Sequence, residues 1–286
     1  MSNPAFNDYT GHVDVSGDQL KKGLTYARKN QYHGLAITAP NNKEATIDFS
    51  VLDGDSSIED LYISEDVPLK GADLSFLYTM SRLSKLTVQF LRGKIDFSRL
   101  GRLDTLYLLG ADSVIDSIDI PTLRSLLIVL TKNVNCQFLA SLDNLEDLRV
   151  SGGKIESMVG IERLSKLKSV QIDHCPKLVD VSSLGSVGAL TDLYIEKCKG
   201  LSDFGFLREN RSIERLFLSD LDSVDFVPSM QKLEYLKFWN LKDADMTCLP
   251  QSGTLRQVDF YPQKRGYSHT IDEINALLAS KNTAEQ

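Results

Sequence analysis

Apolar residues return along this chain in a fixed phrase. Leu, Ile or Val stands at offsets 0, 3 and 5 of a short segment, with Phe238 and Phe260 at offset 5 in the last two copies and mostly polar residues between. The segment occurs ten times, starting at Ile58, Leu83, Leu103, Leu123, Leu145, Leu167, Leu190, Ile213, Leu233 and Leu255. The steps between them are 25, 20, 20, 22, 22, 23, 23, 20 and 22 residues. A degenerate copy (Tyr32, Leu35, Ile37) lies 26 residues upstream of the first. Offsets 3 and 5 alternate with polar sites, the period of a strand with one buried face. In the three clearest copies apolar residues continue at offsets 11, 14 and 17: Leu178, Val181 and Leu184, then Leu201, Phe204 and Leu207, then Val224, Val227 and Met230. A three-residue recurrence suits a short 3₁₀ turn. A period this short is one coil of a solenoid, and no coil can bury its apolar edge alone. The pattern predicts about ten to eleven stacked coils over residues 32–262. Their strands, starting near Leu61, Leu86, Leu106, Leu126, Leu148, Val170, Leu193, Leu216, Leu236 and Val258, are expected in one parallel sheet.

Both ends read as caps. Within Ser16–Asn30, Leu20, Leu24 and Ala27 fall at helical spacing after Asp18, so residues 1–31 form an N-terminal segment with a capping helix. Residues 263–286 are expected to form a C-terminal capping helix and tail. Thr270 with Glu273 three residues on makes a capping box, and Ile271, Ile274, Leu277 and Leu278 give an apolar stripe. A solenoid needs its terminal coils covered.

Offset 8 is Cys175 in one copy and Cys198 in the next. With the L-x-x-L-x-I phrase, this resembles the leucine-rich repeat family, whose pattern puts Asn or Cys there. The other copies depart from it, carrying Asp66, Leu91, Ala111, Thr131, Gly153, Leu221 and Leu241. The resemblance implies an α/β repeat solenoid, a curved horseshoe with its parallel sheet on the concave face. It implies an inward Asn or Cys bonded to backbone at the bend, and irregular coils where that residue is missing. The short coils resemble bacterial-type repeats of roughly 22 residues and not the longer alternating repeats of ribonuclease inhibitors. Ubiquitin-ligase effectors carry L-P-x-L-P runs, of which only Leu249-Pro250 is present. Surface-anchored internalins carry a signal and a sorting segment, neither of which is read here. What remains resembles bacterial orphan repeat proteins, some of which are immunity proteins that neutralise a toxin.

If the strands stack in register, offsets 2, 4 and 6 gather on the exposed sheet face. Two clusters result. One is aliphatic with a tyrosine: Tyr107, Leu109, Leu127 and Val129. The other holds Tyr194, Phe217, Tyr235, Trp239 and Tyr261, with Arg215 and Lys237 among them, and includes the chain's one Trp. Exposed Trp, Tyr and Arg are the types that anchor protein interfaces. Trp239, Phe217, Tyr194 and Tyr261 are expected as apolar anchors. Arg215, Lys237, Asp173 and Glu196, with Arg149 interspersed, are expected to orient the partner. Strands also favour aromatics for their own packing, which is the competing account.

Bulk properties narrow the rest. A net charge of −7 disfavours nucleic acid, since phosphate binding needs a basic field. No apolar stretch reaches membrane-spanning length, and no secretory signal is read at the N-terminus. The chain is expected in the cytoplasm. The four cysteines (Cys136, Cys175, Cys198 and Cys248) form no C-x-x-C and are read as structural thiols. His174 beside Cys175 lacks the facing geometry of a Cys-His nucleophile pair. Asp173 and Glu196 share a column, but read as a solvated pair or a cation-binding patch and not an acid-base couple. No metal spacing, Gly-rich phosphate loop or cofactor motif is present. The expectation is a non-enzymatic protein-binding scaffold, with a toxin among the candidate partners. A regulatory or adaptor subunit of a phosphatase or ligase is the alternative.

Overall fold

A computed structural model describes residues 4–42 and 45–284. Residues 1–3 and 285–286 of the expected end segments lie outside them. The chain forms two compact units, Met1–Lys132 and Asn133–Gln286. The repeat run expected over 32–262 is thereby divided between them.

The first unit holds β1 (Ala5–Asn7), β2 (His12–Ser16), β3 (Gly34–Thr38), β4 (Asp60–Ile63), β5 (Lys85–Val88), β6 (Thr105–Leu108) and β7 (Ser125–Val129). Strands β2 to β7 pair in parallel in chain order. Val13 pairs with Leu35, so β2 opens a further coil that lacks the leucine phrase. Helix α1 (Leu20–Asn30) joins β2 to β3. Leu20, Leu24 and Ala27 are buried as expected. The helix starts later than Ser16, because Gly17–Gln19 form a 3₁₀ turn. It packs on β2, on β3 and on the turn Phe49–Leu52 at the N-terminal end of the sheet. The sheet edge is closed by β1, antiparallel to β2. A sheet edge leaves a row of open backbone groups, and the three-residue β1, paired with His12–Asp14, keeps that edge short.

Glycine 34 shows how tightly this end is built. A Cβ there would lie 2.4 Å from the Gly11 carbonyl oxygen. The missing side chain lets His12, on β2, reach across β3 to Asp60 on β4, with Nε2 and Oδ1 3.3 Å apart. Lys85 grips the other oxygen of Asp60 at 2.8 Å.

The second unit holds β8 (Asp147–Ser151), β9 (Ser169–Asp173), β10 (Asp192–Glu196), β11 (Arg215–Leu221), β12 (Tyr235–Leu241) and β13 (Gln257–Phe260). All pair in parallel in chain order. The offset-3 column (Leu148, Val170, Leu193, Leu216, Leu236, Val258) is buried throughout. The chain returns through 3₁₀ turns such as Ser182–Ser186, Gly205–Leu207 and Val227–Ser229, as the three-residue spacing predicts. Leu201 and Phe204 are only half-buried, so that coil packs less fully than its sequence suggests.

Helix α2 (Ile271–Ala284) packs on β13. Its capping box forms: the Thr270 N–H donates to Glu273 at 2.7 Å and the Glu273 N–H to Thr270 Oγ1 at 3.3 Å. Ile274 and Leu278 are buried, while Leu277 is 43% exposed and lies off the packing stripe. Asn275 receives the Val258 N–H and donates to its carbonyl, both at 2.8 Å. One side chain thus does for the last strand what a further strand would do. Among the described residues no helix is long and apolar enough to cross a membrane.

Two polar devices recur. Asp73, Asp96, Asp180 and Asp203 each accept the N–H two residues on and start a 3₁₀ turn. Three residues before the repeat phrase, Asp55, Asn210 and Ser252 are buried and accept two backbone N–H groups ahead of the strand. Most coils carry an apolar residue there instead, such as Met80, Leu142 or Leu164.

Candidate protein-binding face

Register gathers the expected residues of the second unit. Arg149, Gln171, Tyr194, Phe217, Lys237 and Asp259 pair across successive strands as one column. Asp147, Ser169, Asp192, Arg215, Tyr235 and Gln257 form a second. Ser151, Asp173 and Glu196 begin a third.

An aromatic stack crosses β10, β11 and β12. The Tyr194 and Phe217 rings stack 4.2 Å apart, and Phe217 meets Trp239 edge-on at 5.2 Å. Phe217 is only 5% exposed. It was expected as an exposed anchor and is instead the wedge that holds its neighbours. Large rings on both sides, one strand spacing away, leave it little contact with water. Tyr194 and Trp239 are half-buried and keep part of their surface open to solvent. Tyr261 is 78% exposed just beyond β13, outside this stack. Tyr235 lies under Arg215, whose guanidinium is 5.5 Å from the ring.

Every cation expected on the face has an acidic neighbour. Arg149 Nε is 2.9 Å from Asp173, Arg215 Nε 3.3 Å from Asp192, and Lys237 Nζ 2.7 Å from Asp259. Lys197, which sequence reasoning passed over, lies 3.1 Å from Glu196 and 5.7 Å from the Trp239 ring centre. Its signal was its place at offset 7. Leu130, Gly152, His174 and Lys197 all stand there with positive φ, at the bend that ends each strand. Between β10 and β12 a groove of about 340 Å³ is lined by Asp192, Tyr194, Arg215, Tyr235 and Lys237.

Asp173 is the second departure. It is 3% exposed and bonded to Ser151, Arg149 and His174. Burial alone would raise its carboxyl, but those hydrogen bonds and the Arg149 charge outweigh it and hold it below the ordinary carboxylate range. It braces the face and is not free to orient a partner. Glu196 is likewise lowered, since bonds from Tyr194 and Lys197 outweigh its burial. Burial, then the bond to Glu196, pushes Tyr194 up. Both carboxyls stay ionised and acceptor-only at neutral pH, which suits anchoring and not proton transfer. Tyr107 belongs to the first unit, beneath Lys85 at 5.8 Å. Among the described residues no group of three or more His, Cys, Asp or Glu is gathered to hold a metal.

Beneath the face, Cys175 points inward. Its Sγ lies 3.4 Å from the Asp173 carbonyl oxygen and 3.5 Å from that of Gly152. Cys198 repeats the arrangement, 3.4 Å from the Glu196 carbonyl. Inward cysteine at the bend, parallel strands and 3₁₀ returns, in coils of about 22 residues, decide the architecture. The fold is that of a leucine-rich repeat protein.

Similarity to one solved structure supports this fold. An internalin, InlF of Listeria monocytogenes, is 17% identical and superposes with a TM-score of 0.51, covering 90% of this chain and 83% of the internalin. Internalin C2 of the same species is 17% identical over 66% of this chain and 84% of its own, with a TM-score of 0.47. No protein-family model matches the sequence, and no curated protein does. Internalins were set aside above for their flanking segments. In the repeat fold itself the likeness to InlF holds.

Proposed function

We propose that the sheet face of the Asn133–Gln286 leucine-rich repeat unit binds a folded protein partner. The observation that carries this is the Tyr194–Phe217–Trp239 stack, a buried ring presenting two half-exposed ones. Hot spots favour Trp and Tyr in well-supported settings ringed by polar groups. The surrounding ion pairs are already made, so little side-chain freedom is lost on binding. Such a pre-ordered face suits a partner held tightly and stoichiometrically. That demand is what neutralising a toxin imposes, and immunity is the finer function we assign. Four free thiols favour a reducing setting, and we assign the protein to the cytoplasm.

The test is retention of a partner from native lysate by wild type, Trp239→Ala, Tyr194→Ala and Glu162→Ala. Trp239→Ala should weaken a captured complex by at least about 2 kcal/mol, and Glu162→Ala, remote from the strands, should not. Co-expression should also relieve growth arrest caused by the captured protein. Equal retention by Trp239→Ala and Tyr194→Ala would remove the face from the account. Arrest without relief would remove immunity alone.

A further inference from the structure

We propose that the first unit carries a separate docking groove, along α1, for an acidic peptide segment of a protein partner. The chain is acidic overall, with a net charge of −7, yet α1 holds Lys21, Lys22, Arg28 and Lys29 and no acidic residue. Arg28 is committed to buried Asp55, with Nε 3.0 Å from the carboxylate. The three lysines are exposed, and no carboxylate among the described residues lies within ion-pair distance of them. They line a groove of about 790 Å³ together with Gln19 and Tyr26. Asp18 at its rim already accepts the Asn41 N–H at 3.0 Å.

Gln19 distinguishes this groove from a chance cluster of charge. The residue is 5% exposed, and neither Nε2 nor Oε1 has a hydrogen-bond partner. Buried amides are rarely left so. Gln19 is one of the residues that line the groove, and a turn of its side chain would present one donor face and one acceptor face, the complement of a peptide unit. A phosphodiester group, which has no hydrogen to give, could use only the donor. Lys21 and Lys29 are eight residues apart, about 12 Å along the helix axis. About four residues of extended peptide span that distance, so carboxylates on one face of an extended segment can meet both ends. The proposal does not depend on the reading of the second unit.

The probe is a fluorescein-labelled octapeptide of alternating glutamate and serine, followed by anisotropy with the full chain. Its control replaces every glutamate by glutamine. The wild type should bind the acidic peptide at least tenfold more tightly than the control. Lys22→Glu with Lys29→Glu should lose at least tenfold while the melting temperature holds. Lys22→Gln with Lys29→Gln, free of new repulsion, should fall between. Gln19→Leu should lose at least threefold and melt no lower than wild type, because it removes the unpaired amide. Binding of the control as tightly as the acidic peptide would overturn the proposal. So would undiminished binding by Gln19→Leu, which would leave charge attraction alone. Binding to phosphatidylserine vesicles or to inorganic phosphate, with none to the peptide, would also overturn it and identify the groove as a headgroup or anion site.

Discussion

Replacing Phe217 by Ala tests the aromatic stack most directly. The ring is 5% exposed and lies between Tyr194 at 4.2 Å and Trp239 at 5.2 Å. Truncating a buried Phe to Ala costs about 3–5 kcal/mol, of which aromatic pairing supplies roughly 0.5–1.5 per partner. Phe217 lies on a sheet face, where neighbours can settle and water can enter, so the lower end, about 3 kcal/mol, applies. Trp239→Ala removes a half-exposed ring with one aromatic partner and should cost less, about 1–2 kcal/mol. The assay is guanidinium unfolding read by circular dichroism and by fluorescence. Trp239 is the chain's one tryptophan, so its emission reports this site alone. Phe217→Ala should shift native emission to longer wavelength as the indole becomes wetter. Phe217→Leu, which refills much of the space, should recover about half the lost stability. In partner binding, Phe217→Ala should lose stability and affinity together, whereas Trp239→Ala should lose mainly affinity. If Phe217→Ala unfolds within about 0.5 kcal/mol of wild type with unshifted emission, the ring is not wedged there, and the account of the face fails with it.

Other outcomes follow from buried polar groups. Asp55→Ala should cost about 2–4 kcal/mol in urea unfolding, since the Ser57 and Ile58 N–H groups lose their acceptor. Asp55→Asn should cost under about 1 kcal/mol, because Asn210 fills the equivalent role and Arg28 is half-exposed; equal losses would dismiss the capping role. Burial alone raises the Asp55 carboxyl, but bonds from Arg28, Ile58 and Ser57 outweigh it and leave it lowered in the folded state. Its extra stabilisation is therefore full above the ordinary carboxyl pKa of about 4 and lost as pH falls through the lower folded value. The gap between wild type and Asp55→Asn should close across that acidic window, and a gap that widens there would reverse the sign of the argument. In native thiol labelling, half-buried Cys248 should react before Cys136, Cys175 and Cys198. Burial pushes Cys136 up to about 12, and a hydrogen bond to Cys198, then burial, pushes Cys175 up as well. Labelling of Cys175 as fast as Cys248 would contradict its inward placement.

The coils were legible because a solenoid writes its core as a period. Leu193, Leu216 and Leu236 read as one column before any coordinates, and they pair as one. The β1–β2 hairpin was not legible, because Val13 and Val15 alternate without the leading leucine, whose place Thr10 takes. The turn caps at Asp55, Asn210 and Ser252 escaped for another reason. Three residue types perform one task where most coils use an apolar residue, so no letter repeats. Leu277 was read onto the α2 stripe beside Leu278, although neighbouring residues on a helix point about 100° apart and only one of them can face β13.

Side-chain pairing across strands explains why the face was harder to read than the fold. The sequence shows that Phe217 belongs to an exposed column, but its burial depends on Tyr194 and Trp239 arriving from other coils. Charges behave likewise. Arg149, Lys197, Arg215 and Lys237 are each within 3.3 Å of a carboxylate, so the face presents little unbalanced charge. Exposed pairs of this kind are worth about 0–1 kcal/mol and serve mainly to hold geometry. A partner there gains from ring contact and hydrogen bonds, and its binding should change little with salt. Among the described residues the lysines of α1 have no such neighbours, and binding there should weaken steeply as salt screens them. The two surfaces are built from similar residue types. Which charges are already paired is what separates the partners proposed for them.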